Sequence, residues 1–411
     1  MVAKTRFDVA VVGGGMVGVT LACALAKGGV RVALLESRKP QRNWDAEKVD
    51  LRVSALTEGT RNILDAIGVW SSMEKLGVSP YRFMRVWDPK YGGDLSFDAA
   101  NLARDILGHI VENRVTIAAL WEIFERQPSG EVICPQSVVG IRHDDGVYSL
   151  CLADQSVLES ELIVAADGAN SAIRSMVGIE VGGWSYGQRG LVAVVETESY
   201  HNETAYQWFL EEGPLAFLPL RDGRCSVVWT SSTDTTKQNL VQSEAEFLSA
   251  LTQASGGILG DVKSVGERVS FPLALQYAAH YSRENVVLVG DAAHSVHPLA
   301  GQGANMGMLD AAALVEVLLD ARSAGRPFSS PQVLRKYERW RKGDNLAMLA
   351  SMDLLKRIFT GSWGSFEAVR SVGMNAVNSL QPLKDAFNRH AMGLRADLPR
   401  LAYGESCWRE S

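Results

Sequence analysis

Hydrophobic residues near the N-terminus first form an apolar run and then recur at helical spacing. Residues 7–12 predict a buried strand. Residues 16–27 are rich in Ala and Leu and predict a helix, which Gly28 and Gly29 would end. Residues 30–36 are again apolar and predict a second strand. This strand–helix–strand order is typical of a parallel sheet in an α/β domain.

The pattern changes several times in the next part of the chain. Residues 52–76 and 110–126 have helical spacing, whereas residues 80–100 between them are richer in aromatic and β-type residues. Further strand-like runs follow at 131–141, 147–152 and 158–165. We assign all of these elements to the N-terminal domain.

Residues 181–280 have a different texture, in which short β-type runs dominate. Examples are residues 191–197 and 205–210, and one helical stretch occurs near 243–253. Runs of this kind predict an antiparallel sheet. An apolar strand returns at 285–289, and long helices follow it.

The chain has 411 residues, which is more than one ordinary domain of roughly 100–200 residues. We therefore predict an α/β fold with a Rossmann-like domain built on a parallel sheet. Residues 1–180 and 281–345 would form this domain, and a smaller β-rich substrate domain at 181–280 would interrupt it. Residues 346–411 would form a C-terminal helical region.

Composition narrows the class of protein. A net charge of -6 argues against a nucleic-acid-binding surface, which is normally basic. The five cysteines show no metal-ligand spacing, so we expect a reducing, cytoplasmic compartment and no metal. We find no signal peptide and no apolar stretch of about 18 residues that would cross a membrane.

The first glycine cluster matches the dinucleotide-binding fingerprint G-x-G-x-x-G. Gly13 permits a tight turn, Gly15 lets the backbone approach a pyrophosphate, and Gly18 lets the helix pack closely on the strand. Glu36 ends the second predicted strand, where a carboxylate can accept hydrogen bonds from ribose hydroxyls. The complete unit predicts a bound dinucleotide, but it does not distinguish FAD from NAD.

Two later segments favour FAD. In each, an apolar strand ends in an Asp beside a Gly, at Asp167-Gly168 and at Gly290-Asp291. Ligands of α/β sheets bind beyond the carboxyl ends of the strands, so either Asp can meet the ligand. FAD contains a ribitol chain and NAD does not, which makes Asp291 a natural ribitol partner. The Gly-rich loop at 298–305 could lie against a flat ring, with the helix that begins near Gly303 pointing its positive end at it.

These segments resemble the class A flavin monooxygenases of the para-hydroxybenzoate hydroxylase type, and most closely the ubiquinone-biosynthesis ring hydroxylases. The resemblance covers almost the whole chain. Its further matches are Leu51–Leu56, Gly68–Trp70, His109–Arg114, Ala216–Leu220, His297–Gly303 and Arg389–Leu394.

The resemblance implies a role for individual residues at the FAD. Asp291 would bind the ribitol, and Asp167 and Gly168 would lie near the FAD–nicotinamide region. The remaining residues that it implies are Arg52 and Arg114 close to the FAD, and Pro298, Gly301, Gln302, Gly303, Ala304 and Asn305 along the flavin ring. Arg52 and Arg114 could instead be surface ion-pair partners, and Asp167 could cap the helix that follows it. The catalytic base is not identified.

The resemblance also implies the reaction and its partners. Reduced flavin and dioxygen would hydroxylate the ring of a polyprenylated phenol or quinol, of the 3-methyl-6-methoxy-1,4-benzoquinol type. NAD(P)H or another electron donor would act transiently, because no second G-x-G-x-x-G unit is present. Apolar residues at helical spacing in 346–394 would face the inner membrane surface or another ubiquinone-biosynthesis protein, or else pack on the FAD domain.

Two alternatives stay open on the residues alone. One is hydroxylation of another ring carbon in the same pathway. The other is a non-catalytic flavin-binding scaffold of a biosynthetic complex. Aromatic residues of the β-rich segment could line the substrate site or fill an ordinary core: Trp184, Tyr186, Trp208, Phe209, Phe217 and Trp229.

Overall fold

The alternation of strands and helices is present in the computed structural model, which describes residues 6–45, 48–89, 93–144, 147–295, 302–360 and 397–408. The helices of this part of the chain are α1 (Met16–Lys27), α2 (Glu58–Ala66), α3 (Trp70–Leu76), α4 (Asn113–Glu125), α5 (Ala172–Met176), α6 (Thr233–Val241), α7 (Glu244–Ala254), α8 (Gln302–Ser323) and α9 (Pro331–Thr360). The strands are β1 (Arg6–Val12), β2 (Val32–Leu35), β3 (Val53–Leu56), β4 (Ser79–Tyr81), β5 (Phe83–Asp88), β6 (Gly93–Asp98), β7 (Gly108–Glu112), β8 (Gly130–Ile133), β9 (Val138–Asp144), β10 (Val147–Leu152), β11 (Val157–Ala165), β12 (Val181–Thr197), β13 (Thr204–Leu210), β14 (Gly213–Pro219), β15 (Cys225–Ser232), β16 (Val262–Val265), β17 (Val269–Ala278), β18 (Ser282–Arg283), β19 (Val286–Leu288) and β20 (His294–Ser295).

The first sheet has parallel strands at its centre, as the N-terminal pattern predicts. Its order is β18-β19-β11-β1-β2-β8, and β10 and β9 extend antiparallel from β11. Strands β19, β11, β1, β2 and β8 run parallel to one another. All four residues of β2 are buried, which is typical of a parallel sheet covered on both faces. The Rossmann-like α/β fold is therefore confirmed.

Helix α1 packs closely because its buried side chains are mostly small. Every residue from Gly18 to Ala26 is buried, and the helix contacts both α4 and α8. These helices and the parallel strands share one hydrophobic core. Close packing of this kind fixes the strand ends from which the three motif loops leave.

The second sheet is mainly antiparallel and has the order β20-β17-β12-β15-β14-β13-β5-β6, with β16 beside β12. One of its faces carries Leu215 and Phe217, which are buried against Phe247 and Leu251 of α7. Side chains on a strand alternate between the two faces, so the residues between these point to the opposite side. The predicted β-rich segment therefore forms a sheet with its own core.

Two strands of the second sheet come from an earlier part of the chain. Strands β5 and β6 pair with each other, and β5 runs parallel to β13. The sequence prediction placed residues 83–98 in the first domain, together with the rest of residues 1–180. Chain order does not show which sheet a strand joins. The structure joins residues 83–88 and 93–98 to the second sheet, while the remaining domain limits stay predictions.

A small third sheet has the order β3-β7-β4, and its side chains pack both in the core of the first sheet and against the second. Its strand β3 corrects the prediction of helical structure throughout residues 52–76. Residues 53–56 are extended and pair with β7, and α2 and α3 follow. This pairing joins segments that are far apart in the chain, which local hydrophobic spacing cannot reveal. Ile110 of β7 packs with Val194 of β12 and with Leu220, which follows β14.

The two longest helices, α8 and α9, follow the last parallel strand. The predicted helical region continues beyond α9, but Arg389–Leu394 of the family resemblance lies outside the described residues. Within the ranges described, every helix is too short or too polar to cross a membrane.

Candidate functional site

The three motif loops leave neighbouring strands at the same edge of the first sheet. Strands β1, β11 and β19 are adjacent and parallel, so their carboxyl ends point the same way. The first glycine cluster follows β1, Asp167-Gly168 follows β11, and Gly290-Asp291 follows β19. This is the edge at which α/β sheets bind their ligands.

The first two loops touch through backbone that only glycine allows. A Cβ atom on Gly13 would lie 2.3 Å from the carbonyl oxygen of Ala166, and Gly13 has a φ of +116°. A Cβ atom on Gly18 would lie 2.0 Å from the carbonyl oxygen of Gly13. The predicted roles of these two glycines in the turn and in the close packing of α1 fit these distances.

The first and third loops meet through Val17 of α1. A Cβ atom on Gly290 would lie 3.2 Å from the Val17 side chain, and one on Gly307 would lie 2.6 Å from it. Gly307 also faces Gly290, since its added Cβ would lie 3.2 Å from the Cα of that residue. The two glycine clusters are therefore close enough for one ligand to touch both.

The N-terminus of α1 has the properties of an anion site. Gly15 precedes the helix, no side chain caps it, and the first turn has no acidic residue. Gly15 is exposed, and a Cβ atom placed on it would meet nothing within 4 Å. The free N–H groups and the positive end of the helix dipole thus face open space that suits a pyrophosphate.

Glu36 lies against the glycine turn. Its carboxylate accepts a hydrogen bond of 2.6 Å from the N–H of Gly14, and its other oxygen accepts one of 2.9 Å from the N–H of Arg38. These bonds orient the half-buried side chain at the end of β2. The carboxylate has further lone pairs that could bind a ribose, as the sequence predicts.

Comparison with known proteins identifies the ligand class of this geometry. Residues 6–343 match the family described as "FAD binding domain". A 3-demethoxyubiquinol 3-hydroxylase of Escherichia coli is 35% identical over 387 residues, which are 94% of this chain and 98% of that protein. The chain belongs to this family of FAD-dependent monooxygenases. The resemblance seen in the sequence is thereby confirmed.

Further relatives support the same assignment. The Ubiquinone hydroxylase UbiL of Rhodospirillum rubrum is 39% identical over 404 residues, covering 97% of this chain and 92% of that protein. Among solved structures, p-nitrophenol 4-monooxygenase PnpA of Pseudomonas putida has a TM-score of 0.79 at 22% identity, covering 96% of this chain and all of that one. At that identity the structural match concerns the fold.

FAD fits the residues at this sheet edge. The open space above Gly15 and the uncapped start of α1 suit its pyrophosphate, and the neighbouring third loop offers a carboxylate for its ribitol. That carboxylate belongs to Asp291, which is exposed. The part of the carboxyl that faces the protein is desolvated, which raises the pKa of Asp291; the charge of His294 opposes this rise and that of Asp310 adds to it.

Arg114 is held in place, whereas Arg52 is exposed. The guanidinium of Arg114 pairs with Glu112 at 2.6 Å, lies 4.8 Å from the ring of Trp44, and donates to the carbonyl oxygen of Lys48. Its Nε is buried and has no partner among the described residues. The predicted approach of both arginines to FAD stays a prediction, but only Arg114 is already oriented.

Asp167 supports the start of helix α5, whose N-cap residue is Ser171. Its two carboxylate oxygens accept hydrogen bonds from Ser171 Oγ, at 2.5 Å, and from the N–H of Ile173, at 3.1 Å. Asp167 is therefore not itself the N-cap, as the alternative had it, but it holds the N-cap residue Ser171 and the first turn of the helix. Its proposed role near FAD stays a prediction. Gly168, beside it, has a φ of +84°, which an L-residue rarely adopts.

Arg174 is a site residue that the sequence analysis did not single out. Its guanidinium donates hydrogen bonds of 2.8 Å to the carbonyl oxygens of Ala169 and Ala292. It thus ties the second motif loop to the third. Burial lowers the pKa of Arg174, an effect that the charge of Asp167 opposes.

The start of α8 carries the remaining predicted flavin contacts. Helix α8 begins at Gln302, and Gly303 and Ala304 in its first turn are half-buried. The side chain of Asn305 turns to the segment after β3, since it accepts from the N–H of Thr57 at 3.0 Å and donates to the carbonyl oxygen of Ala55 at 2.8 Å. Asn305 therefore anchors the helix start. Pro298 and Gly301 lie outside the described residues.

Two of the six aromatic side chains proposed for a substrate wall are buried in the core of the second sheet. Phe217 is fully buried, and Trp208 is stacked on Trp87 at a ring distance of 5.4 Å. Trp184 is exposed, and the hydroxyl of Tyr186 donates to Asp353 of α9 at 3.2 Å. The core alternative therefore holds for Trp208 and Phe217.

Proposed function

We propose that this chain hydroxylates the aromatic ring of a polyprenylated benzoquinol in ubiquinone biosynthesis. The observation that carries the proposal is the similarity to a protein named 3-demethoxyubiquinol 3-hydroxylase. The two sequences are 35% identical, and the match covers 98% of that protein. The ring we propose is of the 3-methyl-6-methoxy-1,4-benzoquinol type. The 39% identity with the Ubiquinone hydroxylase UbiL supports, as a second candidate, hydroxylation at another carbon of the same kind of ring.

The reaction replaces one ring C–H bond with a C–OH bond. One atom of dioxygen enters the product, and the other leaves as water with two electrons and a proton from a hydride donor and one further proton. We propose NAD(P)H as that donor. FAD, when bound, supplies the carrier that takes the hydride and passes its electrons to dioxygen.

The residues of this chain would bind the cofactor in three places. The N–H groups at Gly15 would receive the pyrophosphate, Glu36 the adenosine ribose, and Asp291 the ribitol. The positive end of α8 would face the ring, where it favours a negative charge by roughly 0.3–1 kcal/mol. The helix start at Gln302–Ala304 would thereby favour negative charge on a bound ring.

The second sheet supplies an apolar surface for the substrate ring. Ala216 and Leu218 of β14 and Val228 of β15 are half-buried and point away from the core of that sheet. On this face Leu218 packs in the same cluster as Val53 and Ala55, the strand that Asn305 holds against α8. We propose that Ala216, Leu218 and Val228, named here the cleft face, position the substrate ring and exclude water from it.

Isotope labelling tests the proposal. Purified protein with FAD, NADH and a short-chain 3-demethoxyubiquinol should consume oxygen-18 gas and give a product that carries one oxygen-18 atom. Cells without the protein should accumulate the same demethoxy intermediate. NADH oxidation without a labelled product would contradict the proposal, and accumulation of a different intermediate would select the second candidate ring carbon.

A further inference from the structure

Asp310 of α8 is a buried carboxylate with partners on two sides. Its side chain is fully buried, yet both oxygens accept hydrogen bonds. Oδ2 accepts from the N–H of Gly290 at 3.2 Å and is paired with Nε2 of His294 at 2.5 Å. Oδ1 accepts from Nε of Arg341 at 2.8 Å and from Nδ2 of Asn345 at 3.0 Å.

These partners belong to two structural units. Gly290 and His294 flank the turn that presents Asp291, and a single oxygen of Asp310 contacts both of them. Arg341 and Asn345 lie one helical turn apart on α9. The carboxylate thus fastens the third motif loop to two helices at once.

The two side chains that form ion-pair contacts with Asp310 are buried together with it. Arg341 is 2% exposed and His294 is 1% exposed. Burial alone would raise the pKa of Asp310, but the charges of His294 and Arg341 outweigh it and lower that pKa to about 2. Asp310 is therefore ionised at neutral pH, and its hydrogen bonds to the loop are charge-assisted.

The turn itself needs such support. Gly290 has a φ of +58°, and Asp291 is the exposed residue of a turn whose neighbour Ala292 is buried. Arg174 holds the carbonyl oxygen of Ala292 from the other side. Asp310 is hydrogen-bonded to the N–H of Gly290 at the start of the turn and to the imidazole of His294 at its end. These two contacts together restrict the position of Asp291 between them.

We infer that Asp310 is a positioning residue for FAD, which acts by holding Asp291 where its carboxylate meets the cofactor. The inference rests on the proposed contact between Asp291 and FAD, and it does not depend on the reaction that follows. It predicts that Asp310 and Asp291 contribute to FAD affinity as one unit.

A double-mutant cycle on FAD binding tests this coupling. The dissociation constant of FAD is measured by fluorescence quenching with the apoprotein of the wild type, Asp310→Asn, Asp291→Ala and the double variant. Asp310→Asn should raise that constant about ten-fold, and it should add almost nothing in the Asp291→Ala background. Asp320→Asn is the matched control, because Asp320 lies on the same helix but pairs with Lys336 and Arg400 at the surface.

Asn345→Ala keeps the inference testable if Asp310→Asn does not fold. It removes one hydrogen bond to Asp310, together with those to Arg341 and Tyr281, and leaves the ion pair between Asp310 and Arg341 in place. It should raise the dissociation constant by a few-fold, again only when Asp291 is present. Equal effects in the presence and absence of Asp291 would overturn the inference, as would an unchanged constant in folded Asp310→Asn. An unchanged constant in Asp291→Ala would also overturn it, and would remove the ribitol assignment without touching the proposed hydroxylation.

Discussion

The indole Nε1 of Trp121 donates a hydrogen bond of 2.9 Å to the carbonyl oxygen of Gly14. The same ring blocks any side chain at Gly14, since an added Cβ atom would lie 2.6 Å from Cζ2 of the indole. Trp121 belongs to α4 and is buried. A residue from a helix far along the chain therefore fixes the middle of the glycine turn, between Gly13 and Gly15.

Replacing Trp121 by Phe should weaken FAD binding by about five-fold. The variant keeps the aromatic packing but leaves the Gly14 carbonyl without its donor, a loss worth about 1 kcal/mol. Titration of apoprotein with FAD, followed by fluorescence, measures the change. Trp340→Phe is the control, because the Trp340 indole donates to the carbonyl oxygen of Asp397, far from the turn in sequence. Equal weakening in both variants would show that the effect is not local.

Two glycines of the fingerprint should respond differently to alanine. At Gly15 nothing lies within 4 Å of an added Cβ atom, so Gly15→Ala should leave the thermal stability of the apoprotein nearly unchanged. It should still weaken FAD binding at least ten-fold, because the methyl group occupies space proposed for the pyrophosphate. At Gly18 the added atom would lie 2.0 Å from the carbonyl oxygen of Gly13, so Gly18→Ala should destabilise the apoprotein itself by several kcal/mol.

Thermal unfolding of the apoproteins, together with FAD titration, separates the two effects. Gly15→Ala should lower only the affinity for FAD, whereas Gly18→Ala should lower both the stability of the apoprotein and the affinity for FAD. A large loss of apoprotein stability in Gly15→Ala would contradict the open space above that residue.

The sequence predicted those parts of the site that are formed by residues close together in the chain. Strand β1, the glycine turn and α1 follow one another in the chain, so their roles could be inferred from Gly13, Gly15 and Gly18. The contact of Trp121 with Gly14 joins residues 107 positions apart, and a tryptophan inside a helix otherwise indicates ordinary core packing. A signal did exist for Asp310, since a single acidic residue in an apolar stretch of small residues needs a buried partner.

Chain order also could not show how distant strands combine. Residues 83–98 are rich in aromatic and β-type residues, and nothing in them indicates that β5 would join β13 of the second sheet. The same holds for β3, whose partner β7 decides that residues 53–56 are extended. In both cases the deciding contact is a long-range backbone pairing that local patterns do not contain.

His109 of β7 should make the protein less stable in mild acid. Burial, together with the charge of Arg61, lowers the pKa of His109 from 6.5 to about 4. The unfolded chain therefore takes up a proton near pH 6.5, whereas the folded protein stays unprotonated until about pH 4. Stability from this group is fully present above pH 6.5 and falls as the pH decreases towards 4. Between pH 7 and pH 5 the expected loss is about 2 kcal/mol.

Urea unfolding at pH 5 and pH 7 measures this loss. The variant His109→Phe keeps a ring beside Trp70, whose centroid lies 4.7 Å from that of His109, but it cannot titrate. The difference in unfolding free energy between the two pH values should therefore shrink by about 2 kcal/mol in this variant. His143→Phe is the control, since His143 is exposed. An unchanged difference in His109→Phe would mean that other groups cause the acid sensitivity.

Crowding the cleft face should separate oxygen consumption from hydroxylation. Ala216 is half-buried and pairs with Val228 on the face opposite the core of the second sheet, so Ala216→Trp would fill the space proposed for the substrate ring. FAD binding should stay within two-fold of the wild type, because the cofactor loops belong to the first sheet. The fraction of oxidised NADH that appears as hydroxylated product should fall at least ten-fold, with hydrogen peroxide rising in its place. Val241→Trp, at an 83% exposed position, should leave both quantities unchanged. Full hydroxylation by Ala216→Trp would show that the ring binds elsewhere.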